Sequence, residues 1–169
     1  MKYLNNYYKY IIKYDYINKF NTFNISNIPT LKKIVITFEN KDNSYFNYIL
    51  TILAMEIISN QRGSLLKYMN SNVIKLKSKS QVISSCKVNL RNQNMFNFLY
   101  KCILSFNSGH QTIKKTNCNF KLNNFNLFNL IEDNYNYFHN LPKLKVYLVF
   151  SNNDNKNNSF LLNSLKLII

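Results

Sequence analysis

Two short stretches near the middle of the chain alternate between apolar side chains and basic or amide side chains. The first runs from Val73 to Lys79 and the second from Cys86 to Arg91. Because successive side chains of a β-strand point to opposite faces, each stretch predicts a strand with one apolar and one charged face. Residues 80–85 between them are of loop length. We therefore predict an antiparallel basic hairpin over residues 73–91, with its apolar face against the core.

The hairpin lies in a long window without acidic residues, which runs from Ile57 to Ile131. The whole chain has 22 Lys and Arg against 7 Asp and Glu, a net charge of +15. A run of unopposed cations repels itself unless a polyanion neutralises it, and nucleic acid is the commonest polyanion. Both arginines lie in this window, and guanidinium groups bind phosphate in a bidentate way. We expect RNA contacts from Arg62, Lys67, Lys75, Lys77, Lys79, Lys87, Arg91, Lys114, Lys115 and Lys121, with Gln61 and Asn89 as neutral hydrogen-bond partners.

The rest of the chain predicts helices interleaved with neighbouring strands. The expected fold is α+β: a mainly antiparallel sheet with helices packed on one face and a basic, RNA-facing surface on the other. No repeat, linker or composition shift divides residues 1–169, so one domain is predicted. Helices are predicted over residues 3–20, 45–58, 95–106 and 159–167, and further strands over 31–38, 118–122 and 144–150. Residues 130–142 look irregular or partly helical, and 152–158 look like a polar turn.

Several pieces of the chain match known motifs in a fixed order. They are Tyr7-Tyr8-Lys9, the segment 27–34, the segment 57–62, and Ser85-Cys86-Lys87-Val88-Asn89-Leu90-Arg91 running into the helix at Met95. In this order they resemble the universal ribosomal large-subunit protein five family, of bacterial type and in a divergent mitochondrial form. The corresponding strand of that family reads Gly-Cys-Lys-Val-Thr-Leu-Arg-Gly. Residues 144–151 and 159–167 are similar to its last strand and closing helix.

The chain departs from the family pattern at identifiable places. Asn60 stands where the family has glycine, Thr37 where it has asparagine, and Asn89 where it has threonine. The hairpin has lost its glycines, and the Arg-rich segment after the central helix is shortened to residues 107–124. Family contacts made by that shortened segment are not expected to carry over unchanged.

The resemblance implies a structural constituent of the mitochondrial large ribosomal subunit, located in the matrix and placed in the central protuberance. The partners it implies are large-subunit rRNA, 5S rRNA if the organelle retains it, the P-site tRNA near the hairpin tip, a small-subunit head protein of the protein-thirteen family, and neighbouring large-subunit proteins. Gln61, Lys87 and Arg91 fall on matching family positions, whereas Lys75, Lys77 and Lys79 are suggested by the hairpin pattern alone.

Other classes of function fit the sequence less well. An organellar RNA-binding module of RRM-like type without a ribosomal role is the main alternative, but its aromatic-rich octapeptide is not at residues 87–94. An RNA-processing nuclease would need clustered carboxylates to hold metal ions, and the window from Ile57 to Ile131 has none. A protein that binds anionic membrane surfaces would carry its cations on a helix, whereas here they lie on predicted strands. The apolar segment 45–58 is too short to span a bilayer.

No motif predicts catalysis or a cofactor. The two glycines, Gly63 and Gly109, are too few for a phosphate-binding loop. Cys86, Cys102 and Cys118 form no Cys-x-x-Cys pair, which favours a reducing compartment and gives no metal-binding signature. The sequence therefore predicts a binding protein that is not an enzyme and holds no metal.

Overall fold

Five strands form one sheet in the part of the chain that this computed structural model describes, namely residues 3–22, 24, 27–39, 45–68, 82–107, 119–122, 128–151 and 154–165. The strands are β1 (Leu31–Glu39), β2 (Ser64–Tyr68), β3 (Val82–Leu90), β4 (Asn119–Leu122) and β5 (Leu144–Phe150). The helices are α1 (Tyr3–Tyr7), α2 (Lys13–Phe20), α3 (Tyr45–Ser59), α4 (Asn92–Asn107), α5 (Asn129–Glu132), α6 (Tyr135–Phe138) and α7 (Asn155–Ser164). The predicted α+β class is confirmed.

The strand order is β2-β3-β1-β5-β4, and every neighbouring pair is antiparallel. If β4 is set aside, the chain order β1-α3-β2-β3-α4-β5 is the β-α-β-β-α-β arrangement known as the split βαβ motif. In this arrangement β1 and β3 lie next to each other inside the sheet. The mainly antiparallel sheet expected from the sequence is therefore present.

One face of the sheet forms the hydrophobic core. Ile34, Ile36 and Phe38 of β1 have no solvent-exposed surface, and alternate residues of the neighbouring strands are buried with them. These are Cys86, Val88 and Leu90 on β3, and Leu144, Val146, Leu148 and Phe150 on β5. The period of two seen in the sequence thus assigns the apolar side chains to a single face, as predicted for 86–91.

The helices cover this apolar face. α3 lies against β3, and α4 lies against α3 and β1. A Cβ atom added at Gly63, just after α3, would be 2.9 Å from the Cys86 Sγ atom, so the backbone there approaches β3 closely. Tyr8 packs on Phe96 of α4, with ring centroids 5.8 Å apart, and its hydroxyl donates a hydrogen bond to the Pro29 carbonyl oxygen.

The predicted N-terminal helix over residues 3–20 is confirmed, with one feature that the sequence did not indicate. A π-helical segment, Tyr8–Ile12, joins α1 to α2. The buried residues of this helix, Tyr8, Ile12 and Tyr16, recur at every fourth position. Because an α-helix has 3.6 residues per turn, such a row would drift around the helix. The wider π turn keeps it aligned with the core.

Asparagine occupies three backbone positions with positive φ at the ends of helices, the first being Asn21 after α2, with a φ of 46°. Asn60 follows α3 with a φ of 51°, and its N–H donates to the Glu56 carbonyl oxygen at 2.9 Å. Asn92 begins α4 with a φ of 49°. Asparagine is one of the few residues other than glycine that tolerates this region.

Some boundaries differ from the predicted ones. β2 was not predicted, because Ser64–Tyr68 alternates weakly and both Leu65 and Leu66 are exposed on this edge strand. Residues 82–85, predicted as part of a loop, belong to β3, because backbone pairing with β2 and β1 continues through them. α7 begins at Asn155, in the segment predicted as a turn, where Asn158 and Leu161 are buried on one side.

The predicted partner of β3 is also different. Its described residues pair with β2 and β1, whereas the sequence predicted pairing with residues 73–79. Residues 73–79 lie outside the described residues, so the outer end of the basic hairpin stays a prediction. None of the helices in the described ranges has the length and apolar character needed to cross a bilayer.

Candidate nucleic-acid interface

A row of polar side chains crosses the face of the sheet that is opposite the core. Lys87 of β3 is paired with Thr37 of β1, Thr37 with Lys145 of β5, and Lys145 with Lys121 of β4. Ser64 of β2 extends the row, since it is paired with Lys87 and its hydroxyl donates to the Lys87 carbonyl oxygen at 2.7 Å. We call Ser64, Lys87, Thr37, Lys145 and Lys121 the lysine row.

A second row lies beside the lysine row on the same face. Asn89 is paired with Val35, Val35 with Tyr147, and Tyr147 with Asn119. Lys33 of β1, paired with Val149, follows at the next position. The face therefore combines ammonium groups with amides and one tyrosine ring, which are groups that bind phosphates, 2′-hydroxyls and bases respectively.

The centre of the lysine row contains an unsatisfied hydroxyl. The Thr37 Oγ1 atom is shielded from solvent and has no hydrogen-bond partner among the described residues. A buried hydroxyl without a partner costs free energy that a bound acceptor or donor would recover. Its neighbours on both sides are lysines, so an anionic oxygen is the partner that the local charge favours.

The charged side chains described on this face are all basic. Of its side chains that the structure describes, none is a carboxylate. Glu39 ends β1 with its backbone paired to Ser85, and its side chain is outside the description. Ammonium groups placed on adjacent strands repel each other, and a phosphate between them removes that repulsion.

Three of the predicted contact residues are thus brought together on this face: Lys87, Asn89 and Lys121. Asn89 and Lys121 are exposed, and Lys87 is half-buried between its neighbours. Arg91 directly follows β3 and is exposed, two positions beyond Asn89. Four of the predicted contact residues therefore lie on or next to one continuous surface.

Gln61 and Arg62 lie elsewhere, in the tight connection from α3 to β2. The Ser59 hydroxyl donates to the Gln61 carbonyl oxygen at 2.9 Å and accepts from the Gln61 N–H at 3.2 Å, and the Gly63 N–H donates to Glu56 Oε1 at 3.4 Å. These bonds hold the backbone and leave Arg62 exposed. Arg62 precedes Ser64 by two residues, at the β2 edge of the sheet.

The remaining predicted contacts cannot be located on this surface. The backbone of Lys67 belongs to β2, paired with Ile83, but its side chain is outside the description. Lys75, Lys77, Lys79, Lys114 and Lys115 all lie outside the described residues. Their contacts stay predictions.

Several residues of this face were not among the predicted contacts, notably Lys33, Asn119, Lys145 and Tyr147. A signal was available, because Leu144–Phe150 alternates buried and half-buried residues along its whole length. The alternation shows which residues share a face of one strand. It does not show that β5 lies between β1 and β4, and only that neighbour relation places Lys145 beside Thr37 and Lys121.

The two cysteines that the structure describes, Cys86 and Cys102, belong to the core, and Cys118 lies outside the described residues. Burial raises the pKa of the Cys86 thiol to about 11, and the nearby Glu56 carboxylate acts in the same direction. Burial also raises the pKa of Cys102 well above its ordinary value. Both thiols are therefore protonated and inert at neutral pH. Among the described residues, no cluster of His, Cys, Asp and Glu could hold a metal ion.

A scan against protein-family models found no model that matches this chain.

Proposed function

We propose that this protein is a structural constituent of the mitochondrial large ribosomal subunit and binds rRNA through the open face of its sheet. The observation that carries the RNA-binding part is the lysine row, in which Lys87, Lys145 and Lys121 lie on three strands around the unpartnered Thr37 hydroxyl. The core lies on the other side of the same strands, so burial in the core does not explain why lysines occupy these positions.

The physical basis of binding is charge neutralisation. Phosphates placed along the lysine row would remove the repulsion between ammonium groups and release counterions, which makes the binding free energy depend on salt. Asn89 and Asn119 would supply neutral hydrogen bonds to riboses, and the Tyr147 ring could stack on a base exposed by the RNA fold. Arg91, next to this face, would add a bidentate phosphate contact.

The ribosomal assignment rests on the resemblance to the universal ribosomal large-subunit protein five family. Two backbone angles support it, because Asn60 and Asn92 stand at glycine positions of the family motifs and both have a positive φ. Glycine adopts a positive φ without steric cost, which explains why the family has glycine at these sites. The central protuberance, 5S rRNA, the P-site tRNA and the small-subunit head protein of the protein-thirteen family are the partners that follow from this assignment.

An organellar RNA-binding module of RRM-like type without a ribosomal role is the second candidate. The split βαβ order favours it, because RRM domains present RNA to the open face of a four-stranded sheet. RRM domains stack bases on aromatic residues of their central strands. Here the open face of β1 and β3 carries Lys33, Val35, Thr37, Lys87 and Asn89, and no ring. This composition suits phosphate contacts better than base stacking.

Salt dependence tests the RNA-binding surface. We expect Lys87→Gln and Lys121→Gln each to reduce the slope of log affinity against log salt by roughly 0.7 to 0.9, measured on large-subunit rRNA. Lys156→Gln is the matched control, because Lys156 is an exposed lysine on α7. An equal change in the control, or an affinity that does not vary between low and moderate salt, would contradict the proposal.

Sedimentation tests the ribosomal part separately. The protein in a mitochondrial lysate should travel with the large subunit, and Arg91→Ala should reduce its incorporation more than Lys156→Ala does. Recovery only in lighter ribonucleoprotein fractions, with the salt-dependent RNA binding intact, would favour the RRM-like alternative and reject the ribosomal role.

A further inference from the structure

Two rows of side chains run side by side along the N-terminal helix, outside its buried row. Because the buried residues Tyr8, Ile12 and Tyr16 recur at every fourth position, the other positions also align in rows four residues apart. One row contains Tyr10 and Tyr14, which are 69% and 61% exposed. The next row contains Lys9, which is exposed, and Lys13, which is half-buried.

More aromatic and apolar surface lies on the other side of the tyrosines. Tyr3, Tyr7 and Ile11 form a third row, which continues to Asp15, and all four residues are exposed. The ordinary reason for aromatic residues on a helix is burial in the core, and Tyr8 and Tyr16 serve that purpose here. Tyr10 and Tyr14 do not, since more than half of each residue is open to solvent. Rings this exposed have accessible faces.

The net charge around these rings is positive, although Asp15 adjoins Tyr14. Lys9, Lys13 and Lys19 lie within residues 3–22 against the single acid Asp15. Lys19 is directed elsewhere, because its Nζ atom lies 4.9 Å from the centre of the Phe160 ring of α7. Lys9 and Lys13 thus remain as the cations adjoining the exposed tyrosines.

We propose that Tyr10 and Tyr14 stack on bases of single-stranded RNA while Lys9 and Lys13 bind the neighbouring phosphates. Aromatic rings next to a line of cations are the usual means of holding single-stranded nucleic acid without sequence preference. This surface lies in the helical layer that covers the core, on the opposite side of the sheet from the lysine row. It therefore goes beyond the proposed function and would let the protein contact two RNA segments at once.

Two other occupants fit the surface less well. A membrane interface would need a continuous aliphatic face, and Ile11 is the one aliphatic residue among the exposed positions of Tyr3–Phe20 that the structure describes. A protein partner would be expected to avoid lysines at the centre of the contact. α3 also exposes apolar residues, namely Phe46, Ile49 and Leu53, but has no basic residue along Tyr45–Ser59. It can therefore be compared with the N-terminal helix as an exposed apolar surface without cations.

The absence of tryptophan from the chain permits a direct test. In the full-length protein, Tyr10→Trp introduces a single tryptophan whose emission is quenched when a base stacks on it. Addition of a short single-stranded oligoribonucleotide should quench this emission. Phe46→Trp is the control, since Phe46 is 63% exposed on a helix without basic residues, and its emission should not change.

The affinity of the same oligonucleotide gives a second measurement. Tyr10→Leu with Tyr14→Leu should weaken binding about fivefold or more, whereas the matching Phe variants keep the rings and should bind nearly as well as the natural chain. Lys87→Gln should leave the quenching of Tyr10→Trp unchanged, which separates this surface from the lysine row.

Three results would overturn the proposal. One is equal quenching of the Trp reporters at positions 10 and 46. The second is an unchanged reporter at position 10, which would leave a protein partner as the occupant. The third is a blue shift with vesicles of phosphatidylcholine and phosphatidylserine in the absence of any response to RNA, which would assign the surface to a membrane.

Discussion

The two faces of the sheet obey the same backbone period and have opposite chemistry. On β1, Ile34, Ile36 and Phe38 are buried under the helices, while Lys33, Val35 and Thr37 between them are half-buried on the open face. The inner face is explained by packing alone, because burial of these side chains is the main driving force for folding. Burial in the core does not explain the lysines of the outer face, and we propose an anionic partner for them. Changes on the inner face should therefore alter stability, and changes on the outer face should alter binding.

The largest expected effect is on the inner face. Phe38→Ala should lower the free energy of unfolding by about 3–5 kcal/mol, because it leaves a cavity at a residue with no exposed surface. Ile36→Val is the mild control, with an expected loss of about 0.5–1.5 kcal/mol. Denaturant unfolding measures both. A loss below 1 kcal/mol for Phe38→Ala would show that the inner face is not packed as described.

A smaller effect is expected where α3 meets the inner face. Gly63→Ala would place a Cβ atom 2.9 Å from the Cys86 Sγ atom, so we expect a loss of about 1–3 kcal/mol from overpacking. Cys86→Ala removes the obstructing sulfur, and in that background Gly63→Ala should cost much less. A double-mutant cycle by denaturant unfolding measures this coupling. Additive losses would argue against the close approach.

On the outer face, Thr37→Val should separate stability from binding. The substitution removes the unpartnered Oγ1 atom, so the free energy of unfolding should stay within about 1 kcal/mol of its original value or rise. Affinity for large-subunit rRNA should fall, while the salt slope stays unchanged because no charge is lost. Unchanged affinity would mean that the hydroxyl has no role in RNA binding.

The smallest effect at neutral pH concerns the Cys86 thiol. Its pKa is raised to about 11 by burial, so above pH 9 the unfolded chain loses the proton while the folded chain keeps it. The free energy of unfolding should then fall as the pH rises from about 9 to 11. Cys86→Ala should show a shallower fall over this range in pH-dependent denaturation, compared by slope and not by absolute stability. Equal slopes would mean that the pKa of the thiol is not raised in the folded chain, and so that the thiol is not buried.

Much of the fold was predictable because local rules act within each element. The strand Leu144–Phe150 was predicted with its observed bounds, and the helix Tyr45–Ser59 within one residue, since both have strong hydrophobic patterns. β2 was missed because an edge strand with Leu65 and Leu66 both exposed has no such pattern. The π-helical segment was missed because its origin is the packing of Tyr8 and Ile12 against the core.

The candidate site was predictable only in part. Lys87, Asn89 and Lys121 could be assigned to one face from alternation in their own strands. Lys33, Lys145 and Tyr147 could not be joined to them, because that requires the order of the strands in the sheet. The ribosomal role and the RNA contacts of the hairpin residues 75–79 stay predictions.

By itself, the sequence determined the α+β class, the excess of cations and the division of each strand into an apolar and a polar side, since these depend on composition and on the period of the backbone. Only the tertiary structure decided which strands are neighbours. It placed β5 between β1 and β4, and so aligned Lys87, Lys145 and Lys121 across Thr37. Pairing between strands distant in the chain is selected by the fit of the whole core, which no local pattern encodes.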